Sequence, residues 1–99
     1  MSLLTVRSRI RADAVPAVEA ALREMFAAIE REQPDGVRYA SCRMADGVTF
    51  LVLLQVDEGT ENPLPQIPEF RRFQEALRGW AEGPPEAGPA EVVGSYRLF

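Results

Sequence analysis

Trp80, Tyr39, Tyr96, Asn62 and Arg97 head the residues of this 99-residue chain that could handle a small organic ligand. Trp80 is the one tryptophan and lies on an apolar stripe of helical spacing. There it can stack on a flat aromatic molecule and offer its indole N–H, or simply close the stripe as a core residue, the role its spacing favours. Tyr39 and Tyr96 fall in strand-like stretches. A phenol in an apolar cavity can orient a substrate hydroxyl or pass a proton, although a strand tyrosine more often packs its ring. Arg7, Arg9, Arg43 and Arg97 could face a phenolate, enolate or carboxylate, or else pair with acids such as Glu58 and Glu91. Asn62 sits in a proline-rich loop, where it can gate a ligand or serve a turn.

What is absent narrows the chemistry further. All eleven basic residues are arginine, against fifteen acids, for a formal charge of −4 with no His and no Lys. A His general base, a Ser-His or Cys-His pair, a His metal site, a proximal-His haem and a Lys Schiff base are therefore excluded within the chain. The acidic balance argues against a nucleic-acid partner. Cys42 is the lone cysteine, so no intrachain disulfide forms. With no cation-forming His or Lys beside it to activate the thiol, it reads as a small buried hydrophobe. Glu30/Glu32 and Glu58/Glu61 lack a converging third ligand type, so no metal is expected. No Gly-rich phosphate loop follows a strand.

The elements that position these groups are legible from periodicity. Leu3 to Arg11 alternates, with Leu4, Val6, Ser8 and Ile10 on one face, and reads as a half-buried strand. Asp13 stands where an N-cap belongs and Pro16 in a first helical turn. Val15, Val18, Leu22, Met25, Phe26 and Ile29 then mark an amphipathic helix, which Pro34-Asp35-Gly36 ends. Val37–Met44 and Val48–Val56 flank an Asp46-Gly47 hairpin turn. The second of these strands is apolar on both faces, so it must be covered on both. Residues 57–68 form a polar loop with three prolines, suited to a lid or binding loop. Phe70, Phe73, Leu77, Trp80 and Ala81 define a second helix from Pro68, with Gly83 as its stop. Residues 83–89 read as a rigid connector and Glu91–Phe99 as the last strand.

Strand, helix, strand, strand, helix, strand predicts an α+β ferredoxin-like βαββαβ sandwich over residues 1–99. Its antiparallel sheet has the order 4-1-3-2, with both helices on one face. The uncovered far face calls for a second copy, so a homodimer through the open sheet is expected. No stretch approaches the roughly 20 apolar residues of a membrane span, and no basic leader precedes an apolar run. The expected location is cytoplasmic, without a membrane partner.

On the Leu4-Thr5-Val6-Arg7 strand leading into the Val15–Ile29 helix, the Asp46-Gly47 hairpin and the Phe70-x-x-Phe73 helix, the chain resembles the dimeric α/β-barrel superfamily. Within it, the likeness is to antibiotic biosynthesis monooxygenase-like proteins. The resemblance implies face-to-face dimers and a ligand cavity between sheet and helices. It also implies cofactor-free oxygenation of a small aromatic or polyketide-like molecule, using Asn, Trp, Tyr and Arg side chains. Residues of those types here are Asn62, Trp80, Tyr39, Tyr96 and Arg97, and no cofactor is called for. The haem-degrading branch needs a His that this chain lacks. The alternative is a non-catalytic ligand-binding or purely structural homodimer.

Overall fold

The computed structural model describes residues 2–98. Strand β1 (Ser2–Arg9) leads through a 3-10 turn at Ala12–Ala14 into helix α1 (Val15–Glu32). Strands β2 (Val37–Arg43) and β3 (Thr49–Val56) form the hairpin, a second 3-10 turn spans Leu64–Gln66, and helix α2 (Pro68–Trp80) and strand β4 (Glu86–Glu91) complete the unit. The sheet runs β2-β3-β1-β4, all antiparallel, which is the expected 4-1-3-2 order read from the other edge. The expected α+β ferredoxin-like architecture is present.

Register separates the two faces. Ser8 pairs with Phe50, Val6 with Val52 and Leu4 with Leu54, while Tyr39 and Arg43 of β2 lie across from Leu54 and Phe50. These residues face the helices. The main core joins Ile10, Val18, Met25, Phe50 and Phe73. A second cluster of Ala28, Leu64 and Ile67 is closed by Val37, Tyr39, Leu54 and Phe70. The far face carries Thr5, Ala40, Cys42, Leu51 and Leu53 in adjacent register positions. Leu51 and Leu53 are only half-buried there, so the two-sided apolar character of β3 is real and one side lacks a cover within the chain.

Five local expectations change. Asp13 does not cap α1: the cap position is Ala14, without a side-chain hydrogen bond, and Asp13 instead pairs with Arg11. The extra 3-10 turn moves the helix start past Asp13. Cys42 is exposed, because it points to the open face of β2. Residues 57–68 are not featureless, since the 3-10 turn drives Leu64 completely out of solvent. Helix α2 stops at Trp80, before Gly83, where Ala81 turns extended and bridges to Ile10.

The last change is the largest. The final strand is Glu86–Glu91, inside the expected connector, and residues 92–98 lie beyond it in an irregular segment. A proline at Pro89 is tolerated because β4 is an edge strand that pairs only with β1. The β-branched and aromatic residues of the tail favour strand locally, but Gly94 interrupts them and Arg97 adopts a left-handed φ of 62°.

Candidate functional site

The end of α2 is tied to the end of β1, where the Arg11 backbone N–H donates to the Trp80 carbonyl and Ala81 bridges to Ile10. Beside this junction opens a cavity of about 420 Å3. Its walls are Ser8 from β1, Gln74, Leu77, Arg78 and Ala81 from α2 and the residue following it, and the Gly83-Pro84-Pro85 turn. The helical contributors fall at the spacing of one face, so residues one turn apart address the same space. The size lies in the range of small-molecule pockets, which run from roughly 300 to 1,000 Å3.

Ser8 is the polar break in an otherwise apolar face of β1. It is only 7% exposed, yet its hydroxyl forms no hydrogen bond with any described residue. Among the described residues no buried side-chain polar atom lacks a partner, so the Ser8 hydroxyl reaches the open cavity, where it can bond water or a ligand. Gln74 adds an amide and Arg78 a permanent positive charge, against apolar surface from Leu77, Pro84 and Pro85. Two further hollows are shallower in chemistry. One of about 370 Å3 is almost wholly apolar, at Leu3, Leu4, Leu54, Val56 and Pro89. The other, about 240 Å3, is a groove between α1 and α2 floored by Met25 and Phe73.

The five residues singled out by type are not gathered at one point. Tyr39 stands between the helices, its ring stacked on Phe26 and met edge-on by Phe70. Burial there pushes its phenol up to about 12. Trp80, half-buried, packs on the main core at the end of α2, next to the cavity wall at Ala81. Asn62 accepts the Leu64 backbone N–H at 3.0 Å and so sets the 3-10 turn. Tyr96 is exposed on the segment after β4, with the Arg97 guanidinium 5.0 Å from its ring centre. Ser8, Gln74 and Arg78 were not among the candidates. Ser8 did carry a signal, a serine among Leu4, Val6 and Ile10. Gln74 and Arg78 carried none, because polar residues beside an apolar helical stripe are the norm.

The arginines proposed for ligand contact are mostly committed elsewhere. Two of the four form ion pairs, Arg9 with Glu82 at 3.2 Å and Arg43 with Glu19, and Arg97 lies over the Tyr96 ring. Arg7 lies on the far face of β1, opposite Glu86 in register.

No family model and no curated protein sequence matches the chain. Solved structures do. A candidate antibiotic biosynthesis monooxygenase from Nitrosomonas europaea superposes with a TM-score of 0.75 at 15% identity, over 95% of this chain and 100% of the other. A second such protein, from Caulobacter crescentus, gives 0.73 at 14% identity over 94% and 90%. A variant of SnoaB, a cofactor-independent oxygenase from Streptomyces nogalater, gives 0.68 at 17% identity over 97% and 96%. Across nearly its whole length, the chain has the ferredoxin-like fold of antibiotic biosynthesis monooxygenase-like proteins.

Proposed function

We propose that this protein is a monooxygenase-like enzyme without a cofactor, acting on a small aromatic or polyketide-like molecule between α2 and the sheet. The observation that carries this reading is the 420 Å3 cavity, with the Ser8 hydroxyl in its wall beside Leu77, Pro84 and Pro85. The name of the SnoaB neighbour lends it the reaction type, as analogy, since a shared fold does not fix an activity.

In such a reaction an acidic C–H of the substrate loses its proton to solvent, and the carbanion passes electrons to O2. The hydroperoxide formed at that carbon loses water, so a CH2 group and O2 give a carbonyl and H2O. The protein supplies burial, orientation and a stabilised oxyanion, which needs neither His nor Lys. Ser8 and Gln74 are placed to hydrogen-bond the substrate oxygen, Leu77 and the prolines to exclude water, and Trp80 to stack beside the wall. Tyr39, Asn62, Tyr96 and Arg97 do not line this cavity and have no ligand contact in this reading.

The working unit in this reading is a homodimer closed over the open sheet face. The apolar row of Leu51 and Leu53, flanked by Ala40 and Thr5, supports that cover. Oxygen uptake with anthrone as probe tests the activity. Uptake above the buffer rate, with anthraquinone as product and a clear loss in Ser8→Ala, is expected. Binding of anthrone without uptake would leave a ligand-binding protein, and neither binding nor uptake would remove the site altogether.

A further inference from the structure

The eleven arginines, indistinguishable in the sequence, are sorted by the fold. Arg9 pairs with Glu82, Arg11 with Asp13, Arg23 and Arg43 with Glu19, and Arg31 and Arg72 with Glu69. Arg71 donates to the Pro65 carbonyl at 2.6 Å, and Arg97 lies over the Tyr96 ring. Among the described residues, Arg7, Arg38 and Arg78 have no such partner. Arg7 and Arg38 sit on the far face of the sheet. Arg78 alone of the three lines a cavity.

The usual task of a basic residue in a last helical turn is to cap free carbonyls. At the end of α2 another residue does this. Arg11 donates its guanidinium to the Gly79 carbonyl and its backbone N–H to the Trp80 carbonyl at 3.0 Å. The Leu77 carbonyl accepts from Ala81. Arg78 is thus left with neither an acid nor a carbonyl. It stands one turn from Gln74, both of them exposed, and shares the cavity wall with the Ser8 hydroxyl.

Three polar side chains without a partner among the described residues, one of them a forked cation and two of them open to solvent, line a pocket otherwise walled mainly by Leu77, Pro84 and Pro85. From this we infer that the pocket selects aromatic carboxylic acids over their neutral counterparts, with Arg78 as the counter-charge and Ser8 and Gln74 bonding the ligand's oxygens. A guanidinium matches the two oxygens of a carboxylate, and the apolar walls match the ring. The inference rests on the pocket assignment above and names the ligand class that site takes.

The test is binding of 2-naphthoate and neutral 2-naphthamide to the full chain, by calorimetry and by Trp80 fluorescence. Naphthoate should bind about tenfold or more tighter, the range of a hydrogen bond to a charged group. Arg78→Gln should bring the ratio near one by weakening naphthoate far more than naphthamide, and Arg78→Lys should retain part of the preference. High salt should narrow the ratio in the unmodified protein. Equal affinities, or a preference that survives Arg78→Gln, would overturn the inference and leave the pocket standing. Binding of neither probe would overturn both.

Discussion

Tyr39 stacks on Phe26 with ring centroids 5.3 Å apart and planes inclined by 23°. The pair ties β2 to α1, and Phe70 of α2 closes it edge-on at 6.0 Å. This placement disfavours the phenolate, so the folded protein keeps the Tyr39 proton up to about pH 12, whereas an unfolded tyrosine releases it near about 10. The stability linked to that difference is whole below pH ~10 and drains away as pH rises to ~12, by roughly 2–3 kcal/mol. Tyr39→Phe keeps the stack and should abolish this alkaline loss. Denaturant melts across that window check it, and superimposable curves for the two proteins would refute it.

At the β2–β3 turn, Asp46 accepts the Val48 and Thr49 backbone N–H groups at 3.0 and 2.9 Å and the Thr49 hydroxyl at 2.6 Å. The Thr49 hydroxyl first, then the two N–H groups, hold this carboxyl below its ordinary value. Its contribution to stability is therefore present above the unfolded carboxylate range and lost as pH falls through the depressed value. Asp46→Ala should lower Tm by a few °C at neutral pH, a shift of the size single local interactions produce. That difference should shrink in acid, and calorimetry at two pH values reads it.

Leu64 is completely buried beneath α1 and beside Ile67. Leu64→Ala should cost about 3 kcal/mol, the usual scale for emptying such a site. Because Asn62 sets the same turn, Asn62→Ala should cost about 1 kcal/mol, the worth of a local side-chain to backbone bond. Chemical denaturation of both variants tests the order. A larger loss for Asn62→Ala would mean that the loop is held by its turn and not by its buried leucine.

A charge placed on the uncovered sheet should prevent pairing of copies. Leu53→Arg puts a guanidinium in the middle of the far face, opposite Thr5 and Ala40. Light scattering should report a dimer for the unmodified chain and a monomer for the variant, with helix content unchanged. A dimer in both would place the interface elsewhere.

These elements differ in how openly the sequence declared them. Helix α1 and the β1 and β3 strands follow from Val18, Met25, Ile10 and Phe50, because their burial repeats at the period of the element itself. The last strand did not, because an edge strand needs little apolar alternation. Glu86–Glu91 is chosen by pairing with Ser2–Arg7, contacts 79 to 89 positions away in the chain. The candidate site shows the same division. Ser8 broke a pattern and could have been found, whereas Arg78 becomes distinctive only after eight other arginines have found partners.

Pro89 on the outermost strand bears on how copies can meet. An edge carrying a proline offers a broken row of donors to any strand arriving alongside. On the opposite border, β2 presents Arg38, a charge that repels a like neighbour. Neither margin invites lateral extension of the sheet into a fibre. If copies pair over Leu51 and Leu53, as proposed above, each would use that one face, and such a contact closes on itself without growing into a chain of copies.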